Sequence, residues 1–427
     1  MVTKKSKSAI EVIDRMPAKE REKYLNARLK ELVAYAYKKA PTIKARFNKA
    51  GIKPSAVSGI KDLDNLAILR KDELVELYKN NPPFGGLVTV PIQRLGRVYV
   101  SPGPIYDPHH QDESFWRRNI HLAEAVGFRK GDIVVNTWSY HLVPAGLMID
   151  EVLRRIGCTV IPMGVGNTEL QVQVMHHLKV TGFYGTTGFF MNIITKAEEM
   201  GFNIRKDFNL RLAMIGGEMG GGPIRKLVEE KYGIATADAY GTADVGMIAY
   251  ECSAKNGMHV CEDMIVEMIS PQTGKPVSPG EVGEIIATPI DKTYPLMRFG
   301  TGDLAGWIDE PCPCGRTSPR ITRILGRIGD AVRTRGMFIH PRELQPAFAK
   351  FSEISKCQAV VTKSGHRDEL TLKAELKSEA GIDKKVLSER LIKMVSDAVR
   401  IKVDRVEFVV KGAIPEGYKL IVDERVY

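Results

Sequence analysis

Between Gly131 and about Tyr240 the chain alternates short apolar runs with stretches whose apolar residues recur at helical spacing. Asp132-Ile-Val-Val-Asn, Cys158-Thr-Val-Ile-Pro, Gly182-Phe-Tyr and Leu212-Ala-Met-Ile read as strands, and helices are predicted near Leu147 to Ile156, Glu169 to Leu178 and Phe190 to Met200. Strand and helix in this rhythm predict a parallel sheet with crossover helices, whose ligands sit beyond the carboxyl ends of the strands. The glycine turn after Ile215 and the segment around Tyr240 fall there. Thr186-Thr-Gly looks like a phosphate loop, but Thr is a good N-cap and the segment reads as a helix start. Residues 1 to 80 read as charged helices packed outside the sheet, with apolar residues at helical spacing from Tyr24 to Lys39.

Between Met264 and Leu304, Val-, Ile- and Glu-containing runs broken by Gly-Lys-Pro and Pro-Gly turns predict antiparallel strands. The character changes after Gly326. Strand-like Cys357 to Thr362 and Glu369 to Leu376 precede a helix with Leu387, Leu391, Met394, Val395 and Ala398 on one face, then Arg405-Val-Glu-Phe-Val-Val. The expected class is α/β, with a large N-terminal unit over residues 1–326, containing parallel-sheet layers plus a β subdomain, and a small C-terminal α+β unit over 327–427.

With 427 residues, 44% of them apolar, the chain can bury two cores. It has no uncharged apolar run of about eighteen residues and no apolar stretch behind its basic N-terminus, so a cytoplasmic protein without a membrane partner is expected. A net charge of +11 fits a solvated basic surface or a polyanionic small molecule. No zinc-finger, RNA-recognition or basic-zipper pattern supports a nucleic-acid partner. Six cysteines are too sparse for a disulfide scaffold. Cys252, His259, Cys312 and Cys314 instead form a Cys3His set suited to a closed, four-coordinate structural zinc site. Cys261 is a rival ligand, and Cys158 and Cys357 sit in core-like runs.

Several motifs then accumulate in order: Met214-Ile-Gly-Gly-Glu-Met, Ala237-Asp-Ala-Tyr-Gly-Thr-Ala-Asp-Val-Gly, Tyr294-Pro-Leu-Met-Arg-Phe-Gly-Thr-Gly-Asp-Leu, Cys312-Pro-Cys-Gly-Arg-Thr-Ser-Pro-Arg-Ile, Ile324-Leu-Gly-Arg and Arg335-Gly-Met-Phe-Ile-His-Pro. With weaker similarity through Gly164-Val-Gly-Asn-Thr-Glu, the chain resembles, over nearly its whole length, the phenylacetate-CoA ligases of the adenylate-forming superfamily. The resemblance implies an AMP-forming acid–thiol ligase, which joins a carboxylate to AMP and passes the acyl group to coenzyme A. The expected ligands are ATP or AMP, magnesium, coenzyme A and a small aryl or arylacetic carboxylic acid; a second copy of the chain is left open as a partner.

Carried onto this sequence, the resemblance places the nucleotide on Gly216, Gly217, Glu218, Asp238, Ala239, Tyr240, Gly241, Thr242, Asp303 and Arg327. Tyr240 would stack on the base and Asp303 accept from both ribose hydroxyls. Tyr140, His141 and Tyr184 would line the acyl pocket, with His141 readable equally as a turn residue. Four positions depart from the family pattern. The phosphate loop, normally Ser/Thr/Gly-rich and ending in Gly-Lys-Pro, is here Val98 to Pro108, where Ser101 and Gly103 remain as donors but Pro102 and Pro104 intervene and no Lys follows. Ala243 and Asp244 stand where a hydroxyl residue and the magnesium-binding Glu are expected. Gly329 replaces the hinge Asp, beside Arg335 and Gly336 of the CoA and hinge region, and Lys419 lies one residue late for the catalytic Lys. Two alternatives stay open: an adenylating enzyme with a non-CoA acceptor, and a nucleotide- or acyl-CoA-binding protein that has lost ligase turnover.

Overall fold

The computed structural model describes residues 14–101, 104–109, 113–217, 221–271, 273–328, 332–335, 337–339, 341–378 and 381–425. Gly103, Glu218, Gly329 and Gly336 lie outside them.

The alternating segment forms a five-stranded, all-parallel sheet in the order Thr159–Pro162, Ile133–Asn136, Gly182–Thr186, Leu212–Gly216, Ala235–Ala237. Its strands are short apolar runs because both faces are covered. Val134, Tyr184 and Met214 join one core, while their neighbours Val135, Phe183, Ala213 and Ile215 join another. Helices Glu113–Val126 and Ala145–Ile156 supply the first core, and Thr168–His177, Thr187–Glu199 and Gly222–Tyr232 the second. Thr186 is indeed an N-cap, its side chain accepting from Phe189 N. Helix Ala145–Ile156 ends on Gly157 at φ 96°, a conformation glycine adopts freely.

An eight-stranded sheet follows, running Met264–Ile269, Val282–Pro289, Phe299–Ile308, Arg320–Ile321, Met258–Val260, Gly246–Glu251, Ala239–Thr242, with Gly326–Arg327 beside Phe299–Ile308. Its neighbours pair antiparallel. Helix Ala18–Lys39 buries Leu29, Leu32, Val33 and Ala36 in the same core as these strands. The stretch expected to be a loop at 98–108 is a hairpin, Val98–Ser101 against Ile105–Pro108. Its exposure alternates along the first strand and from Ile105 to Asp107 on the second, as the period of a half-buried strand requires.

From Val332 to Ile421 the buried residues form a separate core. A four-stranded sheet, Arg405–Val409, Arg367–Leu376, Ile354–Ser364, Ile421–Asp423, has an antiparallel centre and parallel outer pairs. Helix Lys384–Val399 covers it with Leu387, Leu391, Val395 and Val399. Ala398, expected on that face, is exposed: steps of four residues from Leu387 lead to Val399 instead.

Candidate active site

Strand Leu212–Gly216 ends in a turn whose backbone lies against side chains from three segments. A Cβ on Gly216 would sit 2.0 Å from Asp238 Oδ1. Gly217 has φ 79°, and a Cβ there would meet Arg333 Nη2 at 2.9 Å and the Trp138 indole at 3.0 Å. Glycine thus serves here for close approach as well as for its positive φ. Arg333 comes from the small unit, in the strand Val332–Thr334, so that unit docks on the turn.

Across the turn, Tyr240 OH donates to Asp303 Oδ2 at 2.8 Å, and Arg327 Nε donates to Asp303 Oδ1 at 2.6 Å. Register creates this trio: Asp303 and Arg327 are direct partners on adjacent antiparallel strands. Each carboxylate oxygen keeps a further lone pair, so two ribose hydroxyls can still be accepted. Burial, then the Asp303 charge, pushes the Tyr240 phenol well above its usual range, which keeps it a neutral donor. Burial likewise pushes the Asp238 carboxyl up to about 6, against Arg225 and with the Glu251 charge adding to the rise. Arg225 is 3.4 Å from Asp238 and hydrogen-bonded to Glu251, and Arg323 lies 3.0 Å from Glu251. That buried network was not legible in the sequence, since its members are spread from residue 225 to 323. Ala239 is half-buried and Gly241 exposed on the strand Ala239–Thr242; Thr242 Oγ1 accepts from Val245 N and closes the turn that carries Asp244.

Asp244 is buried, with Lys71 Nζ 3.1 Å from its Oδ2. Ser101 is buried at the hairpin end, and beside it Asp107, which the sequence did not single out, is also buried. The signal for Asp107 was a lone acid on the inward-facing period of Ile105-Tyr-Asp-Pro.

The acyl-pocket candidates sit in different surroundings. Tyr140 OH accepts from Asn136 Nδ2 at 2.9 Å and donates to Asp150 at 3.1 Å. Tyr184 is buried and stacks on Phe128 with centroids 5.8 Å apart, a core position imposed by strand alternation. His141 is exposed in a turn tied by Ser139. Trp138, from the same segment, is the residue beside the Gly217 turn. Arg335, with φ 48°, is turned into the small unit, donating to the carbonyls of Asp368 and Lys402 and to Asp404. Lys419 is exposed on the loop before Ile421–Asp423, its carbonyl accepting from Gln358.

The cysteine set does converge. Cys252 and Cys312 sulfurs are 3.6 Å apart, Cys314 Sγ is 3.4 Å from His259 Nε2, and all four ligand atoms lie within 4.8 Å of one another. Thiolates about 2.3 Å from a tetrahedral zinc would sit roughly 3.8 Å apart. The other ring nitrogen, His259 Nδ1, lies 3.0 Å from Ser318 Oγ, a partner that orients the ring as metal-ligating imidazoles require. Cys261 is buried outside this group.

No family model matches the chain. Phenylacetate-coenzyme A ligase of Aromatoleum evansii is 30% identical over 83% of this chain and 81% of its own length. The chain belongs to the phenylacetate-coenzyme A ligase family. A member from Thermus thermophilus is 29% identical over 89% of this chain and 87% of its own. Among solved structures, 2-hydroxyisobutyryl-CoA ligase with 2-HIB-AMP and CoA in the thioesterification state superposes with TM-score 0.89 at 26% identity, covering 97% of this chain and 92% of that one. In its postadenylation state with 2-HIB-AMP the score is 0.72. The two units of this family member are therefore arranged more as in the thioesterification state.

Proposed function

We propose that the protein is an ATP-dependent, AMP-forming acyl-CoA ligase acting through an acyl-adenylate on an aryl or arylacetic acid. The Tyr240–Asp303–Arg327 trio at the carboxyl edge of the parallel sheet carries this reading, because it is a buried, charge-organised receptor for a ribose inside a chain of ligase ancestry. Gly216, Gly217 and Asp238 shape the adenine side, and Trp138 walls off the turn where the acyl group would lie. Asp244 is the proposed magnesium ligand; the ion, when bound, would neutralise phosphate charge. Residues 1–326 and 327–427 act as two domains; their separate cores support this, with the change of core falling between Arg327 and Val332. Lys419 is the proposed catalytic lysine, reached by rotation of the small domain.

We further propose that Cys252, His259, Cys312 and Cys314 hold one structural zinc that pins the loops around 252–259 and 309–320. The sulfur and imidazole donors and their spacing support it. No helix among the described residues is long and apolar enough to cross a membrane.

Acid-dependent exchange of labelled pyrophosphate into ATP, over a panel of aromatic and aliphatic acids, tests the adenylation; thioester formation on adding coenzyme A tests the second half. Exchange with an aromatic acid is expected. Measurable AMP binding without exchange by any acid would instead favour a binding protein without turnover, a reading the lysine-free hairpin favours. Exchange without thioester would mark a different acceptor.

A further inference from the structure

The hairpin that replaces the phosphate loop and the turn carrying Asp244 enclose a small cavity lined by Asp107, Tyr99, His109, Phe115 and Ala243. Asp107 and Asp244 are each 2% exposed. Neither carboxylate oxygen of Asp107 has a hydrogen-bond partner among the described residues, nor has Asp244 Oδ1. The Ser101 hydroxyl is likewise buried without a partner, close enough to Asp107 to lower its proton affinity but outside bonding geometry. Tyr78 and Tyr294, hydrogen-bonded to each other, both feel the two acidic charges and so lie beside them.

Burying a carboxylate without donors is strongly unfavourable, and two together more so. Lys71, from the first turn of helix Lys71–Asn80, supplies one positive charge for two acids. Behind the cavity wall, Asp107 and Asp244 thus leave unpartnered oxygens on two separate elements, with Lys71 paired to one of them. Mg2+ is bound typically by one or two carboxylates, with waters and phosphate oxygens completing its shell.

We propose that Asp107 and Asp244 together form a divalent-cation site, with Ser101 at its edge, and that Lys71 is a displaceable counter-ion that holds Asp244 when no cation is there. This rests on the reading that a nucleotide triphosphate binds beside Asp244. A second carboxylate compensates for the shorter Asp244 side chain and gives the hairpin, which lacks the loop lysine, a part in phosphate binding through the cation. Lys71, once displaced, lies free to meet a phosphate oxygen.

The test uses Mn2+ as probe on the full chain, with free Mn2+ followed by electron paramagnetic resonance in the absence and presence of α,β-methylene-ATP. Asp107→Asn and Asp244→Asn are each expected to weaken Mn2+ binding by about tenfold or more, and Asp107→Asn is expected to keep metal-free AMP binding. Lys71→Met is expected to tighten Mn2+ binding without nucleotide, since the competing ammonium is gone. Unchanged Mn2+ affinity in Asp107→Asn, or weaker binding in Lys71→Met, would overturn the proposal. Should an Asp variant lose AMP binding through misfolding, the wild type decides. Tb3+ luminescence excited through Tyr78, Tyr99 and Tyr294, quenched by Mg2+, is expected, and its absence counts against the site. Mn2+ binding as expected without pyrophosphate exchange would sink the ligase reading and leave the cation site standing; exchange with Mn2+ affinity intact in Asp107→Asn would do the reverse.

Discussion

Asp303 concentrates the site's electrostatics in one side chain. Its two oxygens hold Tyr240 and Arg327, so replacing it with Asn exchanges one acceptor oxygen for an amide donor, leaves a guanidinium 15% exposed without its carboxylate and, on the proposed reading, takes an acceptor from the ribose. Hydrogen bonds to a charged group contribute about 1.5–3 kcal/mol, so Asp303→Asn should weaken AMP binding roughly 10- to 100-fold by calorimetry. A far-ultraviolet spectrum like wild type's would separate this from unfolding. Asp14 acts on stability instead. Burial pushes its carboxyl up, but hydrogen bonding and charge from His121, with Tyr250 and Arg316, outweigh that and hold it at about 2, below the ordinary 3.8. A depressed folded pKa stabilises above the unfolded value and is lost as pH falls through the folded one. Asp14→Asn is therefore expected to cost about 2 kcal/mol in urea unfolding at neutral pH. The gap to wild type should close between about pH 4 and pH 2; a gap constant with pH would refute the assignment.

At the scale of elements, the turn after Leu212–Gly216 is the most constrained backbone in the site. With Asp238 Oδ1 at 2.0 Å from an added Cβ, Gly216→Ala must displace either the strand end or the carboxylate. Overpacking of this kind costs about 1–3 kcal/mol, and AMP binding should fall more than global stability does. Equal losses in both would place the strain in the core rather than at the nucleotide. The hairpin Val98–Ser101 and Ile105–Pro108 shows what proline does to a loop of this kind. Pro104 cannot donate and holds its φ, and the flanking residues pair as strands, carrying Asp107 inward.

For the whole molecule, the zinc proposal is the one most directly open to chemistry. Elemental analysis of protein purified without chelator should find about one zinc per chain, and Cys312→Ser with Cys314→Ser should abolish it. A strong chelator should lower the melting temperature of the larger unit more than that of the small one, whose core is separate. Zinc-free native protein would end the proposal. The cluster joins the strand Met258–Val260 to loops before and after it, so its loss should loosen the edge that carries Arg316 and, through it, Asp14.

The sequence by itself determined the parallel sheet, its helices and the change of character after Gly326. Each of these follows from local periodicity, and apolar runs of four or five residues flanked by helical patterns admit few other arrangements. It also singled out Asp303, Tyr240 and Gly216, through the contiguous motifs that carry the family resemblance. Tertiary structure alone decided what depends on chain segments far apart. It paired Asp303 with Arg327 across a register and turned Arg335 into its own unit. It sent Tyr184 to the core face of its strand and brought Lys71 onto the buried Asp244, within electrostatic reach of the buried Asp107. Side-chain direction and the balance of buried charge are properties of packing, and no spacing along the chain encodes them.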